Sequence, residues 1–265
     1  MLGAIVGDIV GSVYEFDNVK TTEFPLFSAG SEPTDDSVMT LAVARALLDS
    51  PEEEGLSESV LVNAMQAYGH RYPWAGYGGR FAQWLHWESP KPYGSFGNGS
   101  AMRVSPVAWV SDDLARVEEL ALISAAVTHN HPEGIKGAQA VAGCILLARQ
   151  GASDEEIRRY AEERHGYDLN FTLDEIRDEY YFNETCQGSV PQALIAYLEG
   201  EDFEDVIRRA VSLGGDSDTI AAIAGSIAHA RYGIPDWIVA EARERLDDEL
   251  LNTLDEFCAR LGVSA

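Results

Sequence analysis

Helical periodicity runs through almost the whole chain, and alternating runs of β-branched residues are nearly absent. Apolar residues recur three and four positions apart in 37–50 (SVMTLAVARALLDS), 56–72, 114–130, 134–151 and 219–233. That spacing puts them on one face of an α-helix, whereas a half-buried strand needs strict alternation. Capping-box patterns at Ser153-x-x-Glu156 and Thr172-x-x-Glu175 start two more helices, DEEIRRYAEERHG and LDEIRDEYYF. Gly151, Gly166, Gly200 and Gly233 fall where helices should stop. There is no linker, repeat or low-complexity segment. The expected architecture is a single compact all-α, multi-helix domain over 1–265, long enough to bury a sizeable core.

The first helix constrains the packing further. Gly3, Gly7 and Gly11 recur every four residues and line one face. A glycine inside a helix costs roughly 1 kcal/mol against alanine, so three on one face imply that another backbone or a ligand comes very close. Residues 219–233 have a similarly thin profile through Ala221, Ala222, Gly225, Ala228 and Ala230. These two helices are expected to pack together at the centre.

Charge and cysteine content exclude several functions. The chain has 19 basic and 44 acidic residues, a net charge of −25, and an acidic surface repels a phosphate backbone; no nucleic-acid groove is expected. The acidity fits a solvated, soluble surface or a protein of a salty cytoplasm. Cys144, Cys186 and Cys258 are scattered and odd in number, which argues against a disulfide framework or a cysteine-based zinc site. The opening MLGAIVGDIVGSVYEF lacks a basic region and is interrupted by Asp8, so it does not read as a signal peptide. No apolar stretch of about 18 residues could span a membrane. The expected location is the cytoplasm.

Two acidic clusters stand at helix starts about 180 residues apart: Thr34-Asp35-Asp36-Ser37 and Asp216-Ser217-Asp218-Thr219. Asp, Ser and Thr are favoured N-caps, and one acid per helix complements the dipole. Each cluster holds more acids than a cap needs, and adjacent carboxylates repel. Carboxylates and threonine hydroxyls suit a hard divalent cation such as Mg²⁺ or Mn²⁺. No Cys or His sits at zinc-ligand spacing beside them. An EF-hand starting at Asp216 would need glutamate at its twelfth position, where Ile227 stands.

The segment KPYGSFGNGSAMRVSP packs Gly94, Gly97 and Gly99 around Ser95, Phe96 and Asn98. It reads either as a turn-rich connection or as a loop whose N–H groups cradle phosphate, with Phe96 against a sugar or base. His129 and His131 close a helix before Pro132, a position that suits a cap as well as a ligand contact.

The stretches GAIVGDIVGSVYEF, PTDDSVMT, GSFGNGSAMRVSP, THNHPEGIKGA, GSVPQAL and AVSLGGDSDTIAAIAGSIAHARYG, in this order, resemble the ADP-ribosylglycohydrolases of the dinitrogenase-reductase-activating type across the whole chain. The resemblance implies a compact all-α fold and two Mg²⁺ or Mn²⁺ ions held by Thr34, Asp35, Asp36, Asp216, Asp218 and Thr219. It implies cleavage at the anomeric carbon of ADP-ribose, releasing it from an arginine or serine side chain or from a small ester. Gly94, Ser95, Phe96, Asn98 and His129 would contact the substrate, and Glu15 or Asp35 would act in catalysis. Partners would then be ADP-ribose or an ADP-ribosylated protein or small molecule. A non-catalytic ADP-ribose-binding or structural relative is the alternative. Some family members use a further carboxylate between TDD and the glycine loop; here 55–87 offers only Glu58.

Overall fold

The computed structural model describes residues 1–51 and 55–263. Among them there are helices and no strands. In chain order they are α1 (Leu2–Gly11), α2 (Asp35–Asp49), α3 (Glu58–Arg71), α4 (Gly79–Trp84), α5 (Gly99–Met102), α6 (Leu114–Ala126) and α7 (Pro132–Arg149). The second half holds α8 (Asp154–Arg159), α9 (Leu173–Ile176), α10 (Cys186–Glu199), α11 (Phe203–Ser212), α12 (Ser217–Tyr232), α13 (Asp236–Arg243) and α14 (Asp248–Leu261). A 3₁₀ turn covers Ser105–Trp109 and a π-helical turn covers Tyr160–Arg164. Both expected capping boxes are formed. All three cysteines are buried and free. No helix is long and apolar enough to cross a membrane among the described residues.

The centre is the antiparallel pair α1 and α12. Every residue of α1 is buried, as is α12 from Ser217 to Ala228. Their small faces meet backbone to backbone. A Cβ on Gly3 would lie 2.2 Å from the Gly225 carbonyl oxygen, one on Gly7 2.1 Å from that of Ala221, and one on Gly11 2.4 Å from Asp218 Cα. This contact explains the glycine spacing and brings the C-terminus of α1 to the N-terminus of α12. Helices α2, α7, α10 and α11 pack around the pair.

Two helices are shorter than their sequence period implies. The 114–130 segment stops at Ala126, and the Ala125 carbonyl accepts from both the Thr128 and His129 N–H groups, the shared bond common at a helix end. The segment after Thr172 makes only one α-helical turn. Lys20 Nζ donates to the Arg177 and Tyr180 carbonyls at 2.7 and 2.8 Å, satisfying carbonyls beyond the end of this turn. The segment that follows contributes Phe182, Glu184 and Thr185 to the cleft described next. Gly200 ends α10 as its position implies; α11, α13 and α14 carry no cap or glycine signal singled out in the sequence, and are helical because their apolar stripes find this core.

Candidate functional site

The central pair sets the geometry of the site. At the junction of α1 and α12, the start of α2 docks through Asp8, a fully buried carboxylate on α1. Asp8 accepts hydrogen bonds from Thr34 N (2.9 Å), Thr34 Oγ1 (2.6 Å), Ser37 N (3.0 Å) and Ser37 Oγ. It therefore caps α2 from a different helix, supplying the acceptor that the first-turn N–H groups lack. Thr34 is the formal N-cap, with a longer contact of 3.3 Å from Asp36 N. Asp35 and Asp36 are released from capping. Asp216 likewise makes no side-chain cap to α12.

The released carboxylates converge. One oxygen from each of Glu15, Asp216 and Asp218 lies within 4.8 Å of the others. Thr219 Oγ1 donates to Asp36 Oδ1 at 3.3 Å, which joins the two acidic helix starts directly. Asp36 Oδ2 is buried with no hydrogen-bond partner among the described residues. Asn98 Nδ2 holds Asp216 Oδ2 at 2.6 Å and Ser189 Oγ at 3.0 Å. Glu15 is kept in place by its own loop: Asn18 Nδ2 donates to the Tyr14 and Glu15 carbonyls, and Asn18 Oδ1 accepts from Gly215 N at 2.8 Å. Gly214 and Gly215 have φ of 68° and 69°, the left-handed turn that swings the chain into α12.

The electrostatics are dominated by buried acids that raise one another's pKa values. Burial, then Asp218 and Asp8, push Glu15 up to about 8. Burial raises Asp216 to about 6. Asp35, Asp36 and Asp218 are driven well above the usual carboxylate range, first by burial and then by the neighbouring acids. Burial also raises Asp8, against the lowering effect of its Ser37 and Thr34 hydrogen bonds. The main charged influences on these groups are one another. Such a set must hold protons or a cation.

The acids form one wall of a cleft of about 630 Å³. Thr34, Asp35, Asp36, Glu15, Asp216, Asp218 and Thr219 all line it, so the six residues expected to bind metal and the expected catalytic glutamate come together. Ser95, Phe96, Asn98 and His129 line the cleft as well; Gly94 does not, and its N–H donates to Asn130 Oδ1 at 2.8 Å. Loop 94–98 is braced by 184–186, through Asn98 N to Glu184 O (2.8 Å) and Cys186 N to Phe96 O (3.0 Å). Phe96 is 46% exposed, and Phe16 beside Glu15 is 85% exposed. His129 is buried, whereas His131 caps α7 by accepting from Glu133 N. Glu58 is exposed and outside the cleft; the extra rim carboxylate is Glu184, from the opposite half of the chain.

The sequence reading passed over Asp8, treating it only as a break in an apolar stretch. Its signal was there: a lone acid inside a helix otherwise built of apolar residues and glycine, a placement costly unless the carboxylate is bonded. Arg103, Tyr93, Phe182 and Thr185, which also line the cleft, carried no such signal.

Fold and cleft together define an all-α protein with a carboxylate-walled ligand cleft. The chain belongs to the ADP-ribosylglycohydrolase family, whose sequence profile matches residues 1–264. It is 27% identical to the ADP-ribosyl-[dinitrogen reductase] glycohydrolase of Rhodospirillum rubrum, over 99% of this chain and 95% of that protein. It is 29% identical to the ADP-ribosylhydrolase ARH3 of Mus musculus, over 88% of this chain and 83% of the other. A solved structure titled ADP-ribosylglycohydrolase-related protein complex shares the fold, with a TM-score of 0.68 over 97% of this chain and 96% of that one at 24% identity.

Proposed function

We propose that this protein is a metal-dependent hydrolase that cleaves the glycosidic bond at the anomeric carbon of ADP-ribose. It would remove ADP-ribose from an arginine or serine side chain or from a small ester. The observation that carries the reading is the convergence of both acidic helix starts on one cleft wall, with an Asp36 oxygen buried and unpartnered among the described residues. That orphan oxygen and the all-oxygen donor set fit one or two hard divalent ions, Mg²⁺ or Mn²⁺, held by Thr34, Asp35, Asp36, Asp216, Asp218 and Thr219. When bound, such ions supply Lewis acidity at the ribose end of the cleft.

The chain's own groups do the rest. Cleavage passes through an oxocarbenium-like state, and the carboxylate wall favours the positive charge that develops on the ribose. Glu15 lines the cleft with an oxygen close to Asp216 and Asp218, and in its deprotonated form it can accept a proton from the attacking water at its carboxylate oxygen; Asp35 is the second candidate. Loop 95–98 and His129 hold the pyrophosphate, and Phe96 packs against the sugar or base. A cleft of about 630 Å³ falls within the range for small-molecule sites.

The test is hydrolysis of ADP-ribosylated arginine and serine peptides and O-acetyl-ADP-ribose with Mg²⁺, Mn²⁺ or EDTA. Metal-dependent release of ADP-ribose from one of them is expected, lost in Asp218→Ala with an unchanged helical circular-dichroism spectrum. Full activity of Asp218→Ala would overturn the shared site. Binding without turnover on any acceptor would point to a non-catalytic ADP-ribose receptor.

A further inference from the structure

We propose that Arg103 and Thr128 fix His129 in the tautomer that carries its proton on Nε2, making both positioning residues for the ligand held by the glycine-rich loop. Arg103 is buried at the cleft wall, at 1% exposure. Its NH2 group donates to the Ser124 carbonyl at 3.0 Å and to Thr128 Oγ1 at 2.8 Å. A guanidinium has only donors, so Thr128 Oγ1 is the acceptor in that contact. Thr128 Oγ1 also lies 2.7 Å from His129 Nδ1. Thr128 is completely buried, and its hydroxyl has no other acceptor among the described residues. Its single proton must therefore point at Nδ1, which makes Nδ1 the acceptor and leaves the imidazole proton on Nε2.

The opposite edge of the ring is kept open. Nε2 has no hydrogen-bond partner among the described residues. A Cβ on Gly97 or Gly99 would lie 3.6 or 3.1 Å from it, so any larger residue at 99 would crowd the Nε2–H. Gly134 packs against His129 Cβ, and the Tyr93 ring lies beside the imidazole, tilted by 53° at a centroid distance of 6.1 Å; both confine it. The two titratable groups facing the ring are Tyr93 and Arg103, and neither favours imidazolium. Burial and the Arg103 charge keep His129 well below its ordinary value, hence neutral. The outcome is a fixed neutral donor aimed at the loop side of the cleft, where it can meet an anionic or ether oxygen. That the oxygen belongs to ADP-ribose rests on the function proposed above; the tautomer does not.

The experiment is a long-range ¹H–¹⁵N correlation on the full chain labelled with ¹⁵N-histidine, with His129 assigned by loss of its signals in His129→Asn. The expected pattern at pH 7.5 is a protonated Nε2 and an unprotonated Nδ1. Thr128→Val should lose this fixed pattern and raise the Kd for ADP-ribose in the presence of Mn²⁺ by about tenfold, the scale of one charge-assisted hydrogen bond. Thr128→Ser, which restores the hydroxyl, should return both to the wild-type values. A wild-type spectrum with the proton on Nδ1, or a Thr128→Val variant with unchanged tautomer and affinity, would overturn the relay. If Thr128→Val fails to fold, the wild-type and Thr128→Ser spectra decide. The expected tautomer with no ADP-ribose binding by the wild type would leave the relay standing and remove the function proposed for the cleft.

Discussion

Replacing Gly7 with alanine tests whether the backbone contact of α1 and α12 governs both fold and site. On intrinsic propensity alone the change should stabilise the helix by about 1 kcal/mol. The structure predicts the opposite sign. The new Cβ would lie 2.1, 2.3 and 2.6 Å from Ala221 O, Ala221 C and Ala222 N, all backbone atoms with no rotamer to yield. Restoring ordinary contact, which begins at 3.4 Å, needs the two helices to separate by about 1.3 Å. Overpacking of this kind costs about 3 kcal/mol at the upper end of the usual range, leaving a net loss of about 2 kcal/mol. For a chain of this size that lowers Tm by roughly 4–8 °C. The separation acts on the cleft too, because Asp8 rides on α1 and Asp216 and Asp218 on the start of α12. Misplacement by about 1 Å can cost about 100-fold in rate, so ADP-ribose release should fall at least that far. Calorimetric unfolding of wild type and Gly7→Ala, with turnover on the best acceptor, reads both effects. A Tm equal to or above wild type would refute the claim that close approach dictates this glycine.

Other predictions follow from the acidic wall. In Asp8→Asn an amide NH₂ faces the donors of Thr34 and Ser37, so urea unfolding should show about 2 kcal/mol lost, and calorimetry a weaker affinity for Mn²⁺. The pH response of the metal-free protein has a definite sign. Glu15 rises from an ordinary 4.5 to about 8, and Asp216 from 3.8 to about 6, so the folded state binds more protons than the unfolded one across that window. Stability should therefore fall as pH rises from about 4 to 8, less steeply in Glu15→Gln. Saturating Mn²⁺ should oppose the fall, because the ion binds the deprotonated acids. A metal-free Tm that rises over this range relative to Glu15→Gln would contradict the assignment.

Much of this protein is legible in sequence because its cues are local. Apolar residues at helical spacing, two capping boxes and the glycine stops define an all-α chain. The Gly3, Gly7 and Gly11 repeat against the small-residue face of 219–233 anticipates the central pair. The paired acids identify themselves by exceeding what a cap requires. The tertiary structure decided what those acids are free to do. Asp8 reaches across from α1 to cap α2, and Asn98 reaches Asp216 from another segment, 2.6 Å away. Glu184 and Phe182 enter the cleft from a segment after α9 that Lys20 ties down through the Arg177 and Tyr180 carbonyls. The donor state of His129 likewise depends on Arg103, which lies 26 positions earlier in the chain. Helical spacing records which face of a segment is buried. It does not record which distant donor meets which acceptor, because those pairings exist only after the core has closed.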